Sequence, residues 1–375
     1  MRVGVVGGGI FGVSTAWELA RRGHAVELFE RRRIPAPDAA GTDISKAIRM
    51  EYGAATPLYG PLVVRALYLW RELERVSGEG ILEQPGVLFL ASAFDESRFE
   101  WQSAQAVREM GGTADVIDAK DAALRWPQFS WKGLAVGVWN PDGGWLRAAT
   151  AVETIARVAR AAGATVFEDT PVDDVAQSDR SATIRAGGRT CEYDLVVVCA
   201  GPWIARVLPE VTSRVRVTRQ QISLYRPADA SAFDGSTFPV WVHDIVEEGW
   251  YGFPSNEGVV KIALHRRSEE VDPDVSREPD DGFLQQSRAF AREHLPALDR
   301  HAPLAGRACL YTNSRRGDLV VDRVPGHDRI VVAGLGSGHG FKFGPVLGEL
   351  VADLIEKDEV PPMLRFGQAR DEEVW

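Results

Sequence analysis

The first thirty residues of the chain alternate between short apolar runs and a helical repeat. Arg2–Val6 is an apolar run of strand length, and residues 25–30 form a second one. Between the two runs, apolar residues recur every three or four positions until Gly23. That spacing is typical of an amphipathic helix, whereas the flanking runs are typical of strands. The N-terminus is therefore predicted to fold as strand, turn, helix and strand.

The same two patterns recur along the rest of the chain. Helical spacing predicts further helices over residues 61–76, 94–110, 148–162, 280–294 and 344–357. Apolar runs predict strands over residues 87–90, 164–168, 182–185, 191–199, 304–311, 319–322 and 330–333. From residue 215 to residue 265 the period becomes two, so this stretch is predicted to be rich in strands.

One predicted strand in the β-rich stretch carries a polar face. Within residues 215–225, Arg219, Gln221 and Tyr225 fall on one face, because side chains alternate along a strand. Such a face is polar enough to line a cavity. We therefore expect Gln221 and Tyr225, together with the neighbouring Gln220, to shape a pocket.

Strands and helices bracket this β-rich middle, which predicts an α/β fold. We expect a discontinuous Rossmann-like domain made of residues 1–85, 145–214 and 305–375. An inserted α+β domain of residues 86–144 and 215–304 would be built on an antiparallel or mixed sheet and would bind the substrate. This division accounts for the 375 residues of the chain.

Charge and composition narrow the partners and the compartment. The chain has 53 acidic and 43 basic residues, a net charge of −10, which argues against nucleic acid or an anionic membrane surface as partner. No uncharged apolar run reaches 18 residues, so we expect no membrane span. With only three cysteines, an odd and sparse number, we expect no disulfide framework and a cytoplasmic location.

The first turn carries a dinucleotide-binding fingerprint. Gly7, Gly9 and Gly12 have the spacing G-x-G-x-x-G, and Glu30 follows 18 residues later at the end of the second predicted strand. In this motif the glycines allow a tight turn, close approach of a pyrophosphate and close helix packing, while the acid accepts a hydrogen bond from a ribose. The motif fits FAD or NAD. The basic run that starts at Arg31 could hold the 2′-phosphate of NADP, but Glu30 at the ribose position favours a solvated run.

Two further glycine-containing turns follow predicted strands. Gly201 lies in a strand-to-helix turn after residues 191–199, and residues 334–340 form a glycine-rich loop shortly before the last predicted helix. A helix N-terminus carries roughly half a positive charge. Aimed at a flavin, it would stabilise the negative charge that forms on reduction.

Five segments resemble the signature segments of the monomeric sarcosine oxidase family. That family includes N-methyltryptophan oxidase and pipecolate oxidase, and it belongs to the D-amino-acid-oxidase-like flavoproteins. The segments are residues 47–53, 85–88, 250–255, 307–312 and 337–343, so the resemblance covers nearly the whole chain. Cys-x-Tyr-Thr at 309–312 together with Ser-Gly-His-Gly-Phe-Lys at 337–342 is far more specific than the dinucleotide fingerprint.

The resemblance implies FAD as the cofactor and assigns roles to individual residues. Cys309 would attach FAD covalently through the 8-methyl carbon of the flavin, and Lys261 would activate oxygen through a water at flavin N5. Arg49 and Lys342 would hold a substrate carboxylate. The pocket residues bordering the substrate would be Tyr251, His265 and Tyr311. The residues expected to bind FAD are Gly7, Gly9, Ile10, Phe11, Gly12, Glu30, Arg31, Lys46, Gly201, Cys309, Gly336, Gly338, His339, Gly340, Phe341 and Lys342.

The chain departs from the family pattern near the substrate. In the family a polar, often histidine-containing stretch precedes the arginine segment, whereas residues 41–46 read Gly-Thr-Asp-Ile-Ser-Lys here. Met50 and Glu51 replace the usual histidine and small residue. These departures leave the cofactor unchanged and bear on the substrate. Without the resemblance, Cys309 would fit a buried structural thiol better.

The expected function is an FAD-dependent amine oxidase. It would oxidise a secondary or N-methyl amino acid, sarcosine-like or cyclic, to an imine and reduce oxygen to hydrogen peroxide. We expect a small amine carrying a carboxylate and molecular oxygen as partners, no metal ligand, and a chain compatible with a monomer. The alternatives are a flavin dehydrogenase with another electron acceptor, a non-catalytic nucleotide-binding protein with a degenerate site, and an NAD(P) dehydrogenase.

Overall fold

The computed structural model describes residues 1–266, 268–298, 303 and 305–366. The helices of the described chain are α1 (Ile10–Arg21), α2 (Thr56–Ser77), α3 (Phe99–Glu109), α4 (Ala119–Arg125), α5 (Ala148–Ala161), α6 (Ile204–Val207), α7 (Asp281–His294) and α8 (Gly344–Lys357).

Strands outnumber helices in the described residues. They are β1 (Arg2–Val6), β2 (Ala25–Phe29), β3 (Lys46–Ile48), β4 (Leu82–Glu83), β5 (Val87–Ala91), β6 (Asp115–Asp118), β7 (Val136–Asn140), β8 (Gly144–Leu146), β9 (Thr165–Phe167), β10 (Val172–Gln177), β11 (Ala182–Ala186), β12 (Arg189–Tyr193), β13 (Leu195–Val198), β14 (Val215–Tyr225), β15 (Val240–His243), β16 (Trp250–Gly252), β17 (Val260–Leu264), β18 (Ala305–Ser314), β19 (Val320–Arg323) and β20 (Ile330–Gly334).

A six-stranded sheet with the order β19-β20-β13-β1-β2-β9 forms the first half of the fold and contains the strands of the predicted Rossmann-like unit. All its pairs are parallel except the edge pair of β19 with β20. Helix α1 packs between this sheet and the helices α5 and α8. The approach of α8 is close: a Cβ on Gly348 would lie 2.6 Å from the carbonyl oxygen of Ser14. A small antiparallel sheet, β10-β11-β12, covers the other face through Ile184.

An eight-stranded sheet with the order β18-β14-β17-β16-β15-β5-β7-β6 forms the second half of the fold. Its pairs are antiparallel except β15 with β5, so the sheet is mixed. The predicted fold, a Rossmann-like unit combined with a substrate unit on a mixed sheet, is confirmed. The residue boundaries of the two domains stay a proposal. By sheet membership β18 belongs with β14 in the second unit, because the two strands pair along their length.

The predicted helices and strands are found, several of them with different bounds; α3, for example, begins at Phe99 rather than at residue 94. Helix α2 begins at Thr56 rather than near residue 61, because Pro57 occupies the first turn and Pro61 lies inside the helix. The stretch predicted as one strand over 191–199 belongs to two strands, β12 and β13, which lie in different sheets and are separated by Asp194. The Asp194 carboxylate accepts a hydrogen bond from the Arg2 amide. The predicted strand 304–311 begins in the described chain at Ala305, and residue 304 lies outside the described residues.

The predicted pocket role of strand β14 is wrong. Gln221 accepts from the Asp280 amide and donates to its carboxylate, while Tyr225 bonds to the hydroxyl of Ser287 at 2.8 Å. Gln220 donates to the carbonyl of Arg266. A period of two shows that a strand has a polar face, but that face packs here against the start and middle of α7. Among the described residues, no helix has both the length and the apolar character needed to cross a membrane.

Candidate active site

A first cavity of about 360 Å³ lies at the carboxyl ends of the parallel strands. It opens where β1, β2, β13 and β20 end, which is where open α/β sheets bind their ligands. The residues predicted to bind a cofactor that line it are Gly7, Gly9, Ile10, Phe11, Glu30, Arg31, Lys46, Gly201, Gly336, Gly338, Gly340 and Phe341. The three predicted turns, distant in the chain, therefore meet at one cavity.

The fingerprint glycines differ in what a side chain would meet. A Cβ on Gly12 would lie 1.7 Å from the carbonyl oxygen of Gly7, so this position must be glycine for α1 to pack against the turn. Gly7 itself has a φ of +103°. A Cβ on Gly9 would meet nothing within 4 Å, which leaves bare backbone facing the first cavity. Helix α1 starts there without a side-chain cap, so its free N–H groups are available to an anion.

These two glycines are expected to respond differently to alanine. Gly12→Ala should destabilise the fold by about 3 kcal/mol or more, because the new methyl group collides with backbone. Gly9→Ala should keep the melting temperature of the flavin-free protein and lower its FAD content. Thermal unfolding and the ratio of flavin to protein absorbance check both statements. Equal melting temperatures for Gly12→Ala and the parent would contradict this role of Gly12.

Glu30 ends in the first cavity and is held by backbone. Its carboxylate accepts hydrogen bonds from the amides of Gly8 at 2.6 Å and Arg32 at 2.9 Å. Burial raises the pKa of Glu30, although both amides oppose the rise. Arg31 is occupied as well: its guanidinium lies 3.6 Å from the ring centre of Trp203 and pairs with Asp38. Arg31 therefore offers no free cation for a 2′-phosphate.

The loop before α8 reaches the first fingerprint through one aromatic ring. Phe11 lies against Gly336 and Gly340, where a Cβ would come within 3.3 Å and 2.7 Å of its ring. Gly338 has a φ of +79°, and a Cβ there would lie 2.3 Å from the ring of Tyr311. The glycines of this loop thus let the first cavity close around Phe11 and Tyr311.

A second cavity of about 340 Å³ adjoins the first. Lys46, Tyr311, Gly338 and Phe341 line both cavities, so the two meet at these residues. The second cavity brings together the six predicted catalytic residues, which are Arg49, Tyr251, Lys261, His265, Tyr311 and Lys342. His339 also lines this cavity, whereas its predicted role was in cofactor binding. Lys342 was predicted both to bind FAD and to hold the substrate carboxylate, and it also lines the second cavity.

A buried carboxylate, Asp43, holds two lysines where the cavities meet. Lys261, which is 1% exposed, donates to Asp43 at 2.5 Å and to the Ser45 carbonyl at 2.7 Å, and Lys46 donates to Asp43 at 3.0 Å. Burial lowers the pKa of Lys261 to about 8, against the opposing effect of Asp43. Burial disfavours the charge on Asp43 too, but the two ammonium groups outweigh it and lower the pKa of its carboxyl. Two ammonium groups and one carboxylate thus leave one net positive charge where the two cavities meet.

Arg49 and Lys342 are two cations without an anionic partner among the described residues. Nη1 of Arg49 is buried with no hydrogen-bond partner there, and its guanidinium lies 5.0 Å from the ring centre of Tyr52. Lys342 is 3% exposed and donates only to neutral oxygens, the Tyr52 hydroxyl and the His339 carbonyl. Burial and the charge of Arg49 lower the pKa of Lys342 strongly, so its positive charge depends on an anion bound in the cavity. The nearby Glu51 is bound to Asn140, and burial raises its pKa.

A chain of hydrogen bonds orients Lys342. Its ammonium donates to the Tyr52 hydroxyl at 2.8 Å, which lies 3.3 Å from Nδ1 of His339. Nε2 of that ring lies 2.9 Å from the Gly317 carbonyl and must donate to it, so Nδ1 accepts from Tyr52. Burial, together with the charge of Lys342, lowers the pKa of His339 to about 3, which keeps the ring neutral.

Two tyrosines and a histidine form the polar wall of the second cavity. Burial and the Tyr311 hydroxyl beside it raise the pKa of Tyr251, and burial raises the pKa of Tyr311. Nδ1 of His265 lies 3.4 Å from the Tyr311 hydroxyl. Although part of the ring is exposed, the loss of water around it in the cavity and the charges of Arg49 and Lys342 lower the pKa of His265. All three side chains are therefore neutral near pH 7. The rest of the wall is apolar, with Phe99, Val240, Val242, Ile245 and Phe253.

Cys309 is buried next to the meeting point of the cavities and lines neither of them. It is two residues before Tyr311 on β18, so both side chains leave the strand on the same face. Its sulfur lies close enough to Lys46 and Lys261 to contribute to raising the pKa of each ammonium group. Gly12 is the other predicted cofactor residue that lines neither cavity, since it packs against Gly7.

Sequence reasoning missed two residues that organise the site. Asp43 was noted only within a stretch that departs from the family pattern, yet it pairs with a lysine 218 positions away. Tyr52 links Lys342 to His339. The signal for Asp43 was available in the chain itself: a lone acid three residues before Lys46, in a segment predicted to lie at a cationic site.

Comparison with known proteins agrees with this geometry. Residues 2–354 match the model of the DAO family, described as FAD-dependent oxidoreductase. The chain is 30% identical to the N-methyl-L-tryptophan oxidase of Escherichia coli (strain K12 / DH10B) over 360 residues, with 94% of each chain covered. It is also 30% identical over 356 residues to the protein of that name from Salmonella typhi, with 93% of each covered.

Solved structures share the fold at lower identity. L-proline dehydrogenase from P. horikoshii has a TM-score of 0.85 at 22% identity, covering 96% of this chain and 94% of that one. Glycine oxidase from Geobacillus kaustophilus has a TM-score of 0.81 at 22% identity, covering 96% and 95%. The glycine cradle, the uncapped helix start and the cavity at the strand ends fit the cofactor of this fold. The chain belongs to the DAO family of FAD-dependent oxidoreductases.

Proposed function

We propose that this protein is an oxidase of secondary amino acids, N-methylated or cyclic, with oxygen as the electron acceptor and hydrogen peroxide as a product. The observation that carries the proposal is the pair of cations, Arg49 and Lys342, that line one cavity without an anionic partner among the described residues. Buried charges need a counter-charge, and a substrate carboxylate would supply it. The name of the N-methyl-L-tryptophan oxidases, to which the chain is similar, supports this class.

The chain's own residues would orient the substrate. The planar guanidinium of Arg49 pairs with both oxygens of a carboxylate, and Lys342 adds a point charge that Tyr52 and His339 hold in place. Tyr251 and Tyr311 are neutral, so neither hydroxyl would hold the amine as an ammonium ion through a negative charge. The apolar wall with Phe99 and Val242 would receive the side chain of the amino acid.

FAD, when bound, would supply the redox chemistry by accepting two electrons from the substrate C–H bond next to the nitrogen. The residues that would hold it are the glycines of the two loops and Glu30, and the proposed covalent link is to Cys309. The substrate loses one C–H and one N–H hydrogen and becomes an imine, which water hydrolyses. Lys261, held by Asp43, would place a positive charge where oxygen is reduced.

The direct test measures hydrogen peroxide and oxygen consumption with a panel of amines. It contains sarcosine, N-methyl-L-tryptophan, proline and pipecolate, each with its carboxamide. The proposal expects one peroxide per oxygen consumed with at least one of the acids and little with its amide. Turnover with an artificial dye but without peroxide would point to a dehydrogenase. No turnover of any acid with either acceptor would contradict the substrate class.

The pH dependence of oxygen use should report on Lys261. Its ammonium is protonated below its pKa of about 8, so the rate of oxygen reduction should fall as the pH rises through that value. Asp43 is ionised across this range because its pKa lies below its usual value. Asp43→Asn should therefore shift the fall to lower pH by about one unit or more. Stopped-flow mixing of reduced enzyme with oxygen, from pH 6 to pH 10, measures the shift; an unchanged profile in Asp43→Asn would contradict it.

Covalent attachment at Cys309 makes a simple prediction. Acid precipitation of the purified protein should leave the yellow colour in the pellet, whereas Cys309→Ser should release it to the supernatant. Cys191→Ser is the matched control, because Cys191 is a free thiol on the small sheet β10-β11-β12. Yellow supernatant from the unaltered protein would exclude the covalent link and leave the rest of the proposal standing.

The cysteines also support the proposed cytoplasmic location. Cys191, Cys199 and Cys309 are all free. A reducing compartment keeps such thiols unpaired. Burial raises the pKa of Cys199 to about 12, so that thiol is unreactive and has a core role.

A further inference from the structure

A cluster of potential metal ligands lies outside both cavities. His243 is the last residue of β15, Glu248 is in the loop of residues 244–249 that leads to β16, and His294 is the last residue of α7. One ligand atom from each lies within 4.8 Å of the others. The three side chains come from three separate elements, so the fold and not local sequence brings them together.

The nitrogens of the two imidazoles lack the partners that buried polar atoms normally have. His243 is 3% exposed, and neither of its ring nitrogens has a hydrogen-bond partner among the described residues. Nδ1 of His294 is also buried without one. The rings lie 4.4 Å apart between centres, and Phe290 packs beside both. Buried polar atoms are almost always bonded, so three orphaned nitrogens at one point indicate a missing group.

The spacing fits a small divalent ion. Nδ1 of His243 is 3.5 Å from Oε2 of Glu248. In a tetrahedral zinc site with bonds near 2.0–2.1 Å, neighbouring ligand atoms are about 3.3 Å apart. No pair of ligand atoms is more than 4.8 Å apart, so binding an ion would draw the widest pair together by up to about 1.5 Å. Glu248 is partly exposed, which leaves a fourth position open to water.

We propose that His243, Glu248 and His294 bind one divalent zinc-class ion. Two imidazoles and one carboxylate are ligands that this class prefers over magnesium or calcium. The ion would fix the loop 244–249 to the end of α7. The same loop lines the second cavity through Ile245, Val246 and Gly249, so the ion would also fix that part of the cavity wall. This site is independent of the proposed oxidase activity.

The test uses the intact flavin-containing protein and zinc ions alone. After treatment with a chelator, the protein is titrated with zinc in competition with a coloured chelator, and bound metal is counted by mass spectrometry. We expect one zinc per chain and a higher melting temperature with zinc. His294→Gln and Glu248→Gln should each weaken binding at least about 100-fold, since even outer-shell changes cost 10- to 100-fold. Glu153→Gln, at an exposed carboxylate on α5, is the matched control and should bind zinc like the parent.

Two results would overturn the site. The first is the absence of zinc binding by the parent at stoichiometric concentration. The second is zinc binding that survives both His294→Gln and Glu248→Gln. The flavin absorbance spectrum of each variant shows whether the variant is folded. The two variants alter partly exposed residues on different elements, so if one of them does not fold, the other alone still tests the site.

Discussion

Lys261→Met is expected to slow the reaction of the reduced enzyme with oxygen by about 10²- to 10³-fold, the usual effect of removing one preorganised electrostatic group. The methionine keeps the length and the packing against Phe253, over whose ring the ammonium lies at 4.7 Å. It removes the charge that Asp43 holds at the meeting point of the cavities. Reduction by substrate under nitrogen should change little, because the carboxylate-binding cations are separate residues.

Stopped-flow measurement of the two half-reactions separates these effects. Lys132→Met changes an exposed lysine that lines neither cavity; it is the control and should leave both rates unchanged. A merely structural role of Lys261 would lower both half-reactions or the flavin content together. An unchanged rate with oxygen in Lys261→Met would contradict the proposed role and favour a different electron acceptor.

Arg49→Met is expected to cost 2–5 kcal/mol of substrate binding, which is about 30- to 4000-fold in kcat/KM. The variant removes the guanidinium that would pair with both carboxylate oxygens, and Lys342 alone of the two residues is left to bind the carboxylate. Arg49→Lys should recover part of the loss, because it restores the charge without the two-point geometry.

Comparison of an acid substrate with its carboxamide isolates this interaction. The parent should prefer the acid strongly, and Arg49→Met should lose most of that preference while its rate with the amide stays similar. Arg65→Met, at an exposed arginine on α2 paired with Glu349, is the matched control. Full discrimination between acid and amide in Arg49→Met would show that the carboxylate lies elsewhere.

Local motifs predicted the part of the site that local backbone builds. The spacing of Gly7, Gly9 and Gly12 is set by a turn and a helix start, so it could be recognised in six residues, and Gly7 and Gly9 line the first cavity. The glycine loop 334–340 follows the same logic. Each of these features depends on neighbours in the chain, and their meeting follows from the strand order of a parallel sheet.

Interactions between distant segments could not be predicted in the same way. Whether the polar face of β14 meets a cavity or a helix depends on where α7 packs, and its contact with Tyr225 is made by Ser287, 62 positions away. The role of Asp43 depends on its contact with Lys261, which is distant in the chain and which the local sequence around Asp43 does not reveal. The ligand cluster at His243 likewise requires β15 and α7 to come together. The family resemblance supplied Arg49, Lys261 and Lys342, which no periodicity would have singled out.

Anaerobic titration of the flavin-containing protein tests the central claim most directly. Sarcosine, N-methyl-L-tryptophan, proline and pipecolate are each added without oxygen, beside their carboxamides, and the visible flavin absorbance is followed. The proposal predicts that at least one acid bleaches the flavin, that its amide does so far more slowly, and that air restores the colour with one peroxide per flavin. A flavin that none of these acids bleaches would contradict it.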